Sequence, residues 1–157
     1  MALIITAPNE IYSVENSTNR SLFLAGGISN CPDWQSVVID GLKDMHGVTI
    51  YNPRRPFFDP ANVEAQIVWE HCHLNAVDVL LFWFSRGSVN PIVLYELGMW
   101  GNSRNRPLIV GCEKGYERAE DVRIQTALAR PDIQIYNDLE DLICDASELL
   151  KPSDREW

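Results

Sequence analysis

Positive charge is scarce in this sequence. Its 157 residues include 13 lysines and arginines against 22 aspartates and glutamates, which gives a formal net charge of −9 at pH 7. Proteins that bind nucleic-acid polymers need a basic surface that neutralises phosphates. The charge balance therefore argues against a nucleic-acid polymer as partner. Small nucleosides and nucleotides stay possible, because the charge of one pocket can differ from that of the whole surface.

Long apolar runs and clusters of metal ligands are also missing. No apolar stretch approaches the roughly 18 residues of a membrane span, and no basic segment followed by an apolar one opens the chain. The four cysteines form no Cys-x-x-Cys pair, and the spacing of His71 and His73 puts them on different faces of a helix. We therefore expect a cytoplasmic protein that contacts no membrane and needs neither a metal ion nor another cofactor.

What the sequence does have is a regular alternation of apolar strands and helices. Five short apolar runs, at 22–25, 48–51, 77–84, 107–112 and 133–136, alternate with helical segments at about 33–46, 63–76, 90–100, 119–129 and 139–150. Such alternation is typical of a parallel sheet built from right-handed βαβ units. We predict an N-terminal arm (1–20) and one α/β domain (21–157). The predicted fold is doubly wound and flavodoxin- or Rossmann-like, with five parallel strands in the order 2-1-3-4-5 and helices on both faces.

Ligands of such folds bind at the carboxyl ends of the strands, between the first and the third. Gly26 and Gly27 follow the first strand, where glycine allows backbone to approach a ligand, although a tight turn explains them equally. The second strand leads into a proline-stiffened loop, 52–60. Its aromatic residues can either stack on a planar base or plug the edge of the core. The candidate binding residues of this loop are Asn52, Arg54, Phe57 and Phe58.

Glu96 is the least expected residue of the chain. It lies in an apolar segment that begins with Asn90, a helix cap, and Pro91 at the first helical position. A segment that is apolar almost all round is typical of a helix packed inside a protein. No basic residue lies three or four positions from Glu96, so the carboxylate has no partner on its own helix. It is either a structural group bonded to another element or a carboxylate held in a pocket for chemistry, and we favour the second.

Four segments together resemble the nucleoside 2-deoxyribosyltransferase family. They are 23–27 (Phe-Leu-Ala-Gly-Gly), 52–55 (Asn-Pro-Arg-Arg), 70–78, and 95–98 (Tyr-Glu-Leu-Gly), and the likeness spans about residues 21–136. The resemblance implies that Glu96 is the nucleophile that attacks C1′ of a 2′-deoxynucleoside. It also places Glu70, where the family usually has aspartate, beside the base and its proton.

The same resemblance assigns roles to four further residues. Asn90, a predicted catalytic residue whose amide can both donate to and accept from a base, stands where the family often has a second aspartate. Phe23, a predicted substrate-binding residue, stands where the family often has tyrosine. The family builds its sites across a subunit boundary, which implies a homo-oligomer with shared active sites. There Asp132 and the terminal Trp157 would help to hold the sugar of a neighbouring subunit's substrate.

The expected activity is exchange of the base of a 2′-deoxynucleoside for a free nucleobase through a deoxyribosyl-glutamate intermediate. Two alternatives stay open. The first is hydrolysis of 2′-deoxynucleoside 5′-monophosphates, with Arg54, Arg55 or Ser88 gripping the phosphate. The second is a nucleotide-sensing module without turnover, because doubly wound folds host many functions.

Overall fold

A single sheet of parallel strands organises the computed structural model, which describes residues 1–8, 18–57 and 60–151. Its elements in chain order are β1 (Leu3–Thr6), β2 (Arg20–Gly26), α1 (Trp34–Leu42), β3 (Val48–Asn52), a 3-10 turn (Pro60–Asn62), α2 (Val63–Ala76), β4 (Val79–Phe84), α3 (Pro91–Trp100), β5 (Leu108–Cys112), α4 (Ala119–Ala129), β6 (Ile135–Tyr136) and α5 (Leu139–Leu150). The predicted α/β class and the alternation of strands and helices are confirmed.

The sheet has six strands in the order β1-β3-β2-β4-β5-β6, all parallel. Its last five strands follow the predicted 2-1-3-4-5 order, so the crevice between β2 and β4 lies where expected. The predicted count of five was one strand short. Leu3–Thr6, in the segment assigned to the arm, pairs with β3 from Leu3 opposite Thr49 to Thr6 opposite Asn52. This short apolar run satisfies backbone groups that would otherwise be unpaired at the edge of β3.

Two apolar cores hold the helices against opposite faces of the sheet. One core packs α2, α3 and α4 through Trp69, Val93 and Val122. The other packs α1 and α5 through Trp34 and Leu142. Every residue of β4 is buried, as expected for a central strand covered on both faces. The helices cover the two faces of the sheet and leave the carboxyl ends of β2 and β4 accessible to a ligand.

Helix α3 is much more exposed than predicted, since its sequence indicated a helix packed inside the protein. Of its ten residues only Val93 is buried, and an outer stripe of Ile92, Tyr95 and Met99 is 65%, 65% and 45% exposed in the single chain. The helix packs on the sheet by one face, so its opposite face has no cover within the chain. None of the helices in the described part of the chain has the length and apolar character needed to cross a membrane.

Candidate functional site

A cavity of about 250 Å³ opens at the carboxyl ends of β2 and β4, where the strand order reverses. Its walls come from the loop after β2, from Pro53, from α2, and from the segment that leads into α3. The cavity brings together six of the residues predicted from the sequence, namely Phe23, Gly26, Gly27, Glu70, Asn90 and Glu96. The two predicted carboxylates therefore face one space, although 26 positions separate them in the sequence.

Gly26 and Gly27 lie so close to neighbouring side chains that only glycine fits at either position. A Cβ on Gly26 would lie 2.3 Å from a ring carbon of Trp34, and one on Gly27 would lie 2.1 Å from Oδ1 of Asn90. The indole Nε1 of Trp34 also donates a hydrogen bond to the carbonyl of Gly27 at 3.0 Å. Because neither position has room for a side chain, the backbone itself forms this wall of the cavity.

Asn90 is the N-cap residue of α3, in the left-handed conformation (φ 51°, ψ 54°) that asparagine tolerates better than most residues. Its side chain makes no capping hydrogen bond to α3. The amide Nδ2 instead donates to the carbonyls of Ser85 and Ser88, at 3.2 and 3.1 Å. The thiol of Cys31 is 3.5 Å from the amide Oδ1. Asn90 thus holds the turn before α3 in place, and its Oδ1 is the side-chain atom not used by that turn.

Glu96 and Glu70 form an electrostatically coupled pair. Burial raises the pKa of Glu96 to about 8, and the nearby carboxylate of Glu70 adds to that effect. Burial likewise raises the pKa of Glu70, while the hydrogen bond from Gln66 and the positive charge of Arg55 oppose this. Two carboxylates so placed resist ionising together. At neutral pH the pair therefore retains a proton, which a reaction can move from one group to the other.

Arg54 and Asn52 lie beside the cavity but do not line it. The Arg54 guanidinium donates to Gln35 Oε1 and to the carbonyl of Pro32, both at 2.8 Å, and pairs with Asp33 at 3.3 Å. The Asn52 side chain accepts a hydrogen bond from the backbone N–H of Arg54 at 3.0 Å. In this structure Arg54 ties the loop after β3 to the start of α1, and Asn52 braces the loop itself. The predicted substrate contacts of both residues stay predictions.

Two further predicted residues, Phe57 and Asp132, do not line this cavity. Phe57 is 82% exposed, and Phe58 lies outside the described residues. Asp132 lines a different cavity and pairs with Arg130 at 2.8 Å, which lowers the pKa of Asp132. Trp157 also lies outside the described residues. Their roles in substrate binding are not tested by the single chain.

Sequence reasoning missed several residues of the site. Gln66 on α2 donates a hydrogen bond to Glu70 Oε1 at 2.5 Å, and Pro53, Ser29 and Ile92 line the cavity. The sequence could have indicated the contact between Gln66 and Glu70, because residues four apart on a helix are neighbours and a glutamine can donate a hydrogen bond to a carboxylate. Pro53 lies in the 52–55 segment of the resemblance, whereas Ser29 and Ile92 carry no local signal that points to a site.

The arrangement suits attack by a carboxylate and transfer of a proton. It offers one carboxylate from α3, a second from α2 and a partly apolar wall that includes Phe23, Ile92 and Val93. Among residues 1–8, 18–57 and 60–151, no three metal-ligating side chains come together.

The chain is similar to one known protein family. The model of the family described as nucleoside 2-deoxyribosyltransferase like matches residues 19–116. This segment contains every residue that lines the cavity. No curated protein matches the chain significantly.

Proposed function

The chain belongs to the nucleoside 2-deoxyribosyltransferase-like family, and from this premise we propose that it exchanges the bases of 2′-deoxynucleosides. The observation that carries the proposal is the pair formed by Glu96 and Glu70 in one cavity at the switch point of the sheet. Buried carboxylates with raised pKa values in a cleft are typical of catalytic sites.

The first half-reaction begins when the proton that the pair retains moves from Glu96 to Glu70, which leaves Glu96 ionised. An oxygen of Glu96 then attacks C1′ of the deoxyribose. The C1′–N bond breaks, and its electron pair goes to the base. Glu70 gives its proton to a base nitrogen, so the base leaves as a neutral molecule. The transition state has oxocarbenium character, which the negative charge of Glu96 stabilises.

The second half-reaction runs the same chemistry in reverse with a different base. A nitrogen of the incoming base attacks C1′, the bond from C1′ to the Glu96 oxygen breaks, and Glu70 takes up the proton that the base loses. The apolar walls from Phe23 and Val93 favour a flat base over water as the acceptor.

Hydrolysis of a nucleoside 5′-monophosphate has less support in the geometry. That reaction requires a cation for the phosphate, and the Arg54 guanidinium is already bound to Gln35, the Pro32 carbonyl and Asp33. Arg55 is the other candidate, and its charge already acts on the Glu70 carboxylate. Ser88 does line the cavity, but a hydroxyl alone is a weak phosphate ligand compared with arginine.

The test of the proposed function is product analysis after incubation with a 2′-deoxynucleoside, with and without a free second base. We expect the new deoxynucleoside to form only when the second base is present, at a rate above that of free deoxyribose release. Deoxyribose as the main product at saturating base would show a hydrolase. A 5′-monophosphate turned over faster than its nucleoside would assign the phosphate-binding alternative.

We also propose that the protein works as a homo-oligomer. The outer stripe of α3 (Ile92, Tyr95 and Met99) is apolar and exposed in the single chain, and Ile67 on the neighbouring α2 is exposed as well. A second copy covering this face would explain why a surface helix is apolar on all sides. It would also leave Asp132 and Trp157 to complete a neighbour's site, as the resemblance implies.

We expect Met99→Lys to shift the protein towards monomers in light scattering, because a buried ammonium at an apolar interface is costly. Val37→Lys is the matched control, since Val37 is equally apolar and half exposed but lies on α1, on the other face of the sheet. A wild-type protein that is monomeric and fully active at assay concentration would contradict the shared-site proposal.

A further inference from the structure

The side chain of Gln66 links the loop after β3 to Glu70. Its amide Nε2 donates one hydrogen bond to the carbonyl of Pro53 at 2.9 Å and a second to Oε1 of Glu70 at 2.5 Å. Pro53 and Glu70 both line the cavity, whereas Gln66 stands behind them. An amide nitrogen has two N–H groups, so both donors of Gln66 are used by these two partners.

The orientation of this amide is determined by its partners. A carbonyl can only accept hydrogen bonds, so Pro53 requires a donor from Gln66. Turning the amide over would set its oxygen against the Pro53 carbonyl, and also against Glu70 whenever Glu70 is ionised. Among the described residues, Oε1 of Gln66 has no hydrogen-bond partner. In the reversed amide the two N–H groups would take the place of Oε1, and they would have no acceptor there. Gln66 therefore always presents an N–H to Oε1 of Glu70.

This contact has two consequences for Glu70. Since Oε1 accepts from Gln66, a proton carried by Glu70 sits on the other oxygen, Oε2. The same hydrogen bond is stronger when Glu70 is ionised, because an N–H binds a charged acceptor better than a neutral one. Gln66 thus stabilises the carboxylate that forms when Glu70 gives up its proton. The other charged groups that act on Glu70 are Glu96 from α3 and Arg55 from the loop after β3.

We propose that Gln66 is a positioning residue that sets how readily Glu70 gives its proton to the departing base, acting through the hydrogen bonds to Glu70 and Pro53. The inference rests on the proposed function, in which Glu70 is the proton donor and Glu96 the nucleophile. In the step concerned, the proton on Oε2 of Glu70 moves to a base nitrogen as the C1′–N bond breaks. Negative charge then develops on Glu70, where the Gln66 N–H stabilises it.

The test compares two substrates that differ by one methyl group on N7 of the base, and this group decides whether the base needs a proton to leave. 2′-Deoxyguanosine requires one, whereas 7-methyl-2′-deoxyguanosine carries a positive charge and its base leaves as a neutral molecule without one. For Gln66→Met, which keeps the side-chain length and removes both donors, we expect release from 2′-deoxyguanosine to fall about 10- to 100-fold. Release from the methylated substrate should stay within about threefold of wild type.

The pH profile gives a second readout of the same residue. With 2′-deoxyguanosine, loss of the donor to ionised Glu70 should move the high-pH limb of the Gln66→Met profile upward by about one pH unit. Gln66→Lys keeps a donor and adds a positive charge, so its high-pH limb should move downward. Gln125→Met, at an exposed position on α4, is the control for the substitution itself.

The possible outcomes distinguish failure of the proposed function from failure of the proposed role of Gln66. A wild-type protein that cleaves neither substrate overturns the proposed function. A wild-type protein that cleaves both, together with a Gln66→Met variant that loses both activities equally or keeps the wild-type pH profile, overturns the role of Gln66 alone. If Gln66→Met does not fold, an unshifted or upward-shifted limb in Gln66→Lys overturns it as well.

Discussion

Glu96→Gln should reduce base exchange by at least about 1,000-fold, because it removes the only group proposed to form a bond to C1′. Glutamine keeps the shape and most of the hydrogen-bonding capacity of the side chain but cannot act as a carboxylate nucleophile. Substrate binding should change little, so the loss is expected in kcat rather than in KM. The rate is measured as formation of a new 2′-deoxynucleoside from a donor nucleoside and a second base.

The covalent intermediate gives this prediction a direct readout. Wild-type protein mixed with a 2′-deoxynucleoside and quenched in acid should gain the mass of one deoxyribosyl group, and the gain should map to the peptide that contains Glu96. The variant should show no such gain. The matched control is Glu117→Gln, at an exposed position outside the helices, which should keep full activity. Exchange by Glu96→Gln within tenfold of wild type would rule out Glu96 as the nucleophile.

The second large effect expected is on stability, and it has the opposite sign. The pKa of Glu96 rises from 4.5, its value in an unconstrained chain, to about 8 in the fold, with burial as the main cause and Glu70 as the second. Below pH 4.5 the group is protonated in both states and has no pH-linked effect on stability. As the pH rises from there to about 8, only the unfolded chain releases the proton, so the folded state becomes steadily less favoured.

Glu96→Gln removes this penalty because its amide stays neutral at every pH. Each unit between the two pKa values corresponds to about 1.4 kcal/mol, so the full shift would amount to about 5 kcal/mol. Because the Glu96 side chain is partly exposed to solvent, we expect the variant to exceed wild type in free energy of unfolding by about 2–4 kcal/mol at pH 8.5 and by close to zero at pH 4.5. For a domain of this size the gain at pH 8.5 equals about 5–15 °C in Tm. Thermal unfolding of wild type, Glu96→Gln and Glu117→Gln at both pH values measures it. An equal gain at both pH values would point to better packing and not to the removal of a charge.

The two predictions describe one trade-off at one residue. A carboxylate that is isolated in an apolar helix and close to a second carboxylate costs stability. Such a cost is expected at a site where the same group is needed for chemistry. The variant that is inactive should therefore also be the more stable one at high pH.

Much of the fold could be predicted from local patterns. The fully apolar run that became β4 indicated a strand covered on both faces, and the alternation of strands and helices indicated the parallel order of β2 to β6. The short run Leu3–Thr6 was not predicted as a strand, because it pairs with β3, more than 40 positions away in the sequence. A four-residue apolar segment carries no local signal that distinguishes an edge strand from an arm lying on the surface.

The residues of the site, too, were partly indicated by the sequence and partly found only in the structure. Glu96 was conspicuous because its helical neighbours are apolar, and Gly26 and Gly27 because they follow the first strand of a fold that binds ligands there. Arg54 was equally conspicuous as a cation on a stiff loop. The structure places its guanidinium against Gln35, Asp33 and the Pro32 carbonyl, partners that no periodicity in the sequence connects to it.

The sequence by itself determined the class of fold, the edge of the sheet at which the candidate cavity lies, and the carboxylate that stands out there, because these follow from periodicity and from the rules of parallel sheets. Only the tertiary structure decided that Glu70 and Glu96 share one cavity, that Gln66 holds Glu70 to the Pro53 carbonyl, and that the outer face of α3 is left uncovered. Those relations join residues of different elements. They depend on how α2 and α3 pack on the sheet, and the distance between two side chains on separate elements is not encoded in the spacing of either one.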